Sequence, residues 1–225
     1  MKKMWFLLFF YGLVLANRPF YSTDADVKEK GRVELEVGLL EVEFSKEGPF
    51  NFPTVVLNCG VGRSFEISGE LGGHHGFEGV FPRGVALSDV NLVAKWLARR
   101  GALQGEGGVS VALEGGLEFS PGEFSGAGLT AAISGKFRSL TWHFNIGPRL
   151  EAGSGYFLGF GLEGPQVLGA RTVGEITYEG VEGEEEGYIM VGFVREFRNF
   201  SLDFALRRNF TAGVYLVVVG GTFEF

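Results

Sequence analysis

Ionisable side chains recur at every second or fourth position in several stretches: Glu34 and Glu36, Glu66 and Glu70, Glu114 and Glu118, then Arg171, Glu175 and Glu179, then Asp203 and Arg207. On an extended chain, residues two apart share a face. Each group therefore projects from one side of a strand. Lys95, Lys136, His143, Arg149 and Glu163 take the same phase in their own stretches. Gathered around one cavity, these residues would do the chemistry of a pore lining. Rings of one sign select ions, and opposed signs pair across a lumen. Carboxylates outnumber cations in the set, which implies weak cation preference if the pore is open.

Covalent chemistry has less behind it. It needs a nucleophile, a base and an orienting group within mutual reach. His143 has Thr141 and Asn145 on its own face, but Ser110, Ser134 and Ser201 fall in other stretches. No G-x-S-x-G motif is present. A lipid hydrolase or acyltransferase is thus an alternative rather than the main expectation. His74-His75 and the run Glu182, Glu184, Glu185 and Glu186 read as solvated loop residues, because neither has the spacing of a metal-ligand set. No metal or cofactor is implied. Cys59 is the one cysteine and reads as a small apolar strand residue. The formal charge of −7 becomes −9 without Lys2 and Lys3, a balance that argues against nucleic acid as a partner.

The elements that would position the charges are strands. Apolar and polar residues alternate in Leu140–Gly147, Tyr156–Glu163, Phe200–Arg207 and Val109–Phe119. Twelve strands are expected near 32–44, 53–61, 64–72, 88–99, 107–119, 126–137, 139–150, 155–164, 167–180, 187–197, 200–209 and 214–225. The even number suits an all-β, antiparallel, up-and-down transmembrane barrel. In the first strand the apolar phase of Val33, Leu35, Val37 and Leu39 shifts to Leu40, Val42 and Phe44, which predicts a bulge near Leu39-Leu40. The 37 glycines and 23 phenylalanines fit a curved sheet carrying bulky side chains on one face. Short turns are expected at 62–63, 137–138 and 197–199, with 99–106 the poorest fit. Outer loops are expected at 72–87, 120–125 and 180–186. Phe77, Val80, Phe81 and Val85 in the first of these would make an apolar mouth or fold back on the rim.

Alternation does not by itself say which face points out, because a soluble barrel also alternates. Three features favour an apolar exterior. The apolar set is bulky and aromatic, and the other set mixes small residues with charges of both signs. The two chain ends supply the third. Met1-Lys2-Lys3, the apolar run Trp5–Leu15 and Val14-Leu15-Ala16 have the layout of a cleaved secretory signal. At the other end, Gly220, Phe223 and Phe225 fit a closing strand whose aromatics sit in the membrane interface. The expected organisation is a signal peptide at 1–16, an N-terminal periplasmic segment or plug at 17–31, and a barrel at 32–225.

Several stretches resemble the phenol meta-pathway degradation family of proposed outer-membrane transporters. They are Arg18-Pro19-Phe20, Thr23-Asp24-Ala25-Asp26, Gly31-Arg32-Val33-Glu34-Leu35-Glu36 and Ser88-Asp89-Val90-Asn91-Leu92-Val93-Ala94-Lys95-Trp96. Ser88 stands where that family has Gly, and Trp96 where it has Tyr. The ending is similar to a barrel assembly signal, with Val218 at a position that is usually polar. The resemblance implies a bacterial outer-membrane barrel for passive uptake of small aromatic or hydrophobic solutes. Its partners would be outer-membrane lipids, the barrel assembly machinery acting on the last strand, and the solutes. A monomer is expected. The alternative is a structural or adhesive barrel closed by residues 17–31, with Arg18 and Lys28 or Lys30 meeting lumen glutamates. Open and closed interiors fit the sequence equally.

Overall fold

A computed structural model describes residues 20–43, 50–51, 54–75, 77–78, 81–82, 86–120, 123–151, 153–181 and 184–225. The expected signal peptide lies outside them. Twelve strands form one closed antiparallel barrel. They are β1 (Val33–Glu43), β2 (Thr54–Gly60), β3 (Phe65–His75), β4 (Ala86–Arg99), β5 (Ser110–Ser120) and β6 (Glu123–Phe137). The second half comprises β7 (Leu140–Glu151), β8 (Gly153–Glu163), β9 (Ala170–Val181), β10 (Glu184–Glu196), β11 (Phe200–Asn209) and β12 (Tyr215–Glu224). Each strand pairs with its sequence neighbours, and β12 returns to β1 with Glu34 opposite Glu224 and Glu43 opposite Leu216. Among the described strands closure leaves no free edge to the barrel, so the backbone groups of the wall are satisfied within the wall.

The bulge lies where the phase change placed it, between Gly38 and Leu40 in the seam with β12. An extra residue there shifts the register of β1 against β12 by one. Two hairpins run further than the sequence suggested. Strand β6 starts at Glu123 and β10 at Glu184, so the connections after β5 and β9 are short. Glu184, Glu185 and Glu186 are therefore strand residues opposite Val181, Gly180 and Glu179, not a free acidic loop. Glu185 accepts from the hydroxyls of Tyr178 and Tyr156, and Glu186 from Tyr188. Between β3 and β4, Phe77–Glu78 pairs with Phe81–Pro82. The side chains of that loop, His74 and His75 included, lie outside the described ones.

The exterior carries the bulky apolar set. Ile67, Leu92, Leu129, Ile176, Val191 and Phe204 all face out and are exposed. The interior carries Ala112, Ala132 and Ala205 beside Glu34, Asn145, Glu175 and Asp203, all buried. This inverts the soluble-barrel arrangement and matches a wall meant for lipid. We call the end bearing Val33 and Glu224 the terminal rim. Aromatic residues cluster there in contact: Phe65 with Trp96, Phe197 with Phe200, and Phe200 with Phe223. Arg32, Arg63, Arg99, Arg100, Lys136, Arg138, Arg195 and Arg198 are exposed at the same end, whereas Arg208 is exposed toward the distal one.

The connection from β4 to β5, the poorest fit in the sequence, is long because it folds. A short 3-10 helix (Ala102–Gln104) forms there. It bonds Ser110 of β5 on one side and the N-terminal segment on the other.

Candidate functional site

Residues 20–31 run inside the barrel, and the wall holds them by their backbone. Gly60 admits the chain at the terminal rim: a Cβ there would sit 2.1 Å from the Glu29 carbonyl oxygen and 2.5 Å from that of Lys28. Only glycine permits so close an approach. The Lys28 N–H donates to Glu66 (2.7 Å), and its ammonium pairs with Glu34 (2.6 Å). Gln104 of the 3-10 helix donates to the Ala25 carbonyl (3.0 Å) and to Asp26 (2.8 Å). The Ala25 N–H donates to Ser134 Oγ at 2.9 Å. Asn145 binds Thr23 twice, accepting from its N–H (3.1 Å) and donating to its carbonyl (2.8 Å). Glu175 accepts the N–H groups of Tyr21 (2.7 Å) and Ser22 (2.8 Å), and also the Ser22 hydroxyl. Ala25 packs against Ala112 and Ala132 with none of its surface exposed.

The first described residues of the segment carry two rings. Phe20 lies against the apolar patch of Val173, Met190, Val194, Ala205 and Val218 and 5.9 Å from the His143 ring. Tyr21 sits between Phe157 (5.8 Å) and Tyr188 (6.3 Å), with the Arg207 guanidinium 5.6 Å from its ring centre. Arg149 covers the Phe157 ring at 4.7 Å and lies 3.4 Å from Glu179. Enclosure by the wall, then the Glu179 carboxylate, push the Tyr21 phenol above the ordinary tyrosine range, although half of its surface still faces the cavities. The hydroxyl therefore stays a donor and points to Glu179 at 3.2 Å.

Among the described residues, cavities adjoin along the barrel. A distal vestibule of about 310 Å³ is lined by Tyr21, Glu70, Asn91, Glu114, Glu118, Arg149 and Glu179. It shares Tyr21, Glu70, Val93, Glu114, Thr130 and Arg149 with a central chamber of about 230 Å³. The chamber is lined by the segment and by the Glu34, Glu36, Glu66 and Lys95 side chains of the wall. Glu34 also borders a terminal mouth of about 170 Å³ lined by Arg171, Glu196, Asp203 and Glu224.

The lumen residues read from the sequence fall as follows. Glu66, Glu70, Lys95, Glu114, His143, Arg149 and Glu163 line the chamber, Glu118 the vestibule, and Arg171 and Asp203 the mouth. Glu175 and Arg207 are buried inward against the segment. Lys136 is exposed at the terminal end of β6 and borders none of these cavities. Charges meet across strands: Lys95 lies 3.3 Å from Asp24 and 4.0 Å from Glu114, and Arg171 lies 3.0 Å from Glu163 and also pairs with Glu196. Ser134 lies opposite His143 in register, and its Oγ is 2.9 Å from Nδ1, while Nε2 is 3.4 Å from Glu163. This arrangement offers no accessible nucleophile, because Ser134 is sealed beneath Ala25 with none of its surface exposed. Gly220 and Phe223 lie in β12 opposite Gly38 and Leu35, and Phe225 exchanges both backbone bonds with Val33 at the seam (3.3 and 2.9 Å).

Sequence reasoning passed over Asn58, Gln104, Phe157 and Tyr188 as interior residues, and weighed Ser134 only as a nucleophile. Asn58 bonds Glu34 (3.2 Å) and Glu36 (2.6 Å). Inward phase was a usable signal for Phe157, which shares its face with Gly159, Gly161 and Glu163, and a weaker one for Tyr188, which shares its face with Met190 and Val194 as well as Glu186.

No known family model matches the sequence, and no curated protein matches it. Solved structures do match in fold. The KdgM porin is 12% identical with a TM-score of 0.64, covering 86% of this chain and 99% of that one. The same porin in complex with disordered oligogalacturonate gives 11% identity and 0.63, with the same coverage. The translocator domain of the autotransporter NalP from Neisseria meningitidis gives 12% and 0.52, covering 89% and 91%. The twelve closed strands, the apolar exterior and these likenesses together make the fold that of a porin-like β-barrel.

Proposed function

We propose that the protein is a bacterial outer-membrane channel for passive uptake of small solutes, its bore narrowed by its own N-terminal segment. The observation that carries this is the segment anchored across the bore, from Glu66 and Glu34 to Asn145 and Glu175, while adjoining cavities persist beside it. An apolar exterior with aromatics at the terminal rim supports a membrane setting. The terminal rim would face the periplasm, β12 would be read by the barrel assembly machinery, and a single chain closes its own wall, so a monomer suffices.

Small aromatic or hydrophobic solutes fit the junction of vestibule and chamber best. The half-exposed Tyr21 ring stands there beside Arg149 and Arg207, with Phe157 sealed behind it, and a face-on or tilted contact with the Tyr21 ring favours a flat apolar guest. The acidic wall of Glu34, Glu36, Glu66, Glu70 and Glu114 disfavours anions. The oligogalacturonate held by the KdgM porin is a polyanion and a poor fit here. The test is solute flux into liposomes carrying the refolded protein, comparing a neutral aromatic, a small aromatic acid and a sugar. The neutral aromatic should enter fastest. Equal rates for all three would leave only an unselective small pore.

A second reading, a closed structural barrel, is favoured by how completely Glu175, Asn145, Ser134 and Glu66 engage the segment. Absence of all flux through a correctly folded barrel would select it.

A further inference from the structure

The terminal rim carries a feature that solute passage does not use. The turn between β8 and β9 is tied at both ends: Val167 and Ala170 exchange backbone bonds (2.7 and 3.0 Å), and the Glu196 N–H donates to the Gly169 carbonyl (2.9 Å). Its two central residues, Leu168 and Gly169, have φ of +54° and +76°. This is the type I′ pattern, which Asn and Gly favour and a branched apolar residue resists. Leu168 is nevertheless 90% exposed and Val167 61%. A fixed turn thus holds two apolar side chains outward at the cost of local strain.

Cations flank this turn on both sides. In the preceding turn, the Arg138 guanidinium lies 5.4 Å from the ring centre of Phe137, which is itself exposed. At the end of β10, just before the following turn, Arg195 lies 5.8 Å from Phe197, which stacks on Phe200 at 4.4 Å. Arg198 is exposed in that same turn. Apolar tips between aromatic-backed arginines fit a lipid interface: the tips enter the acyl boundary while guanidinium groups meet phosphate.

We propose that this half of the terminal rim docks anionic phospholipid headgroups of the facing leaflet. The inference rests on the membrane-channel reading above. The excess of exposed cations at this rim gives the charge complementarity. The strained Leu168 gives a reason for an apolar tip that folding alone does not supply.

Native mass spectrometry of the full protein released from mixed phosphatidylglycerol and phosphatidylcholine micelles tests this. The parent should retain phosphatidylglycerol in preference. Arg195→Gln with Arg198→Gln should weaken that preference by roughly fivefold per arginine. Leu168→Asn should separate the two roles of the turn: unfolding temperature should rise by roughly 2–4 °C as strain is relieved, while lipid retention falls. Equal retention of both lipids by the parent, or unchanged preference in the arginine variant, would overturn the proposal. Insertion into pure phosphatidylcholine vesicles is scored separately by heat-modifiable gel mobility. Failure to insert counts against the channel reading, whereas insertion without phosphatidylglycerol preference counts against headgroup docking alone.

Discussion

Replacing Glu175 with alanine removes the acceptor that pins residues 21–22 of the N-terminal segment. The carboxylate accepts the Tyr21 N–H at 2.7 Å and the Ser22 N–H at 2.8 Å, together with the Ser22 hydroxyl. Hydrogen bonds to a charged group contribute about 1.5–3 kcal/mol each. Lumen water would offset part of that for the released donors, so the two backbone bonds together are taken as about 1.5–3 kcal/mol. At about 1.4 kcal/mol per factor of ten, residues 20–22 should leave the wall roughly ten- to a hundredfold more often. The anchors at Asn145, Ser134 and Glu66 remain, so the rest of the segment stays in place. Planar-bilayer recordings should then show brief openings of higher conductance, more frequent by that factor. Glu175→Gln keeps one carbonyl acceptor and should show a smaller effect. A folded Glu175→Ala barrel that gates like the parent would refute the anchoring argument.

Other perturbations test separate parts of the interior. Gly60→Ala places a Cβ on the Glu29 and Lys28 carbonyls, an overpacking of about 1–3 kcal/mol. It should lower the melting temperature by several degrees and open residues 20–31 to protease; an intact, protected segment would count against its path. Ser134→Ala leaves the buried Ala25 N–H without its acceptor, a cost of about 1–3 kcal/mol that thermal unfolding should register. Unchanged stability there would mean that Ala25 is not sealed. Lys95→Glu with Arg207→Glu should raise cation selectivity, because both groups face the interior; an unchanged reversal potential would remove them from the conduction path.

Much of the wall was legible in the chain because its signal is local. Alternation assigns each side chain to a face, whatever the partner strand. The phase change at Leu39-Leu40 could be read as a bulge for the same reason. Strand ends were less legible. Glu184–Glu186 resemble a solvated loop in isolation, and only pairing with Gly180 and Glu179 makes them strand. The 99–106 connection looked too long because nothing local says that Gln104 reaches Ala25.

The sequence alone determined the period, the strands, the two faces and the excess of carboxylates on one of them. These follow from steric and hydrophobic rules that act between near neighbours. It left open whether residues 17–31 fill the bore, and it could not say which charges pair. Those answers depend on register and closure. His143 meets Ser134 only because β6 and β7 pair as they do. Glu175, more than 150 positions from Tyr21 and Ser22, meets them only once the sheet has curved shut around the segment. A closed barrel makes neighbours of groups whose spacing along the chain carries no trace of it, so the path of the segment belongs to the tertiary structure.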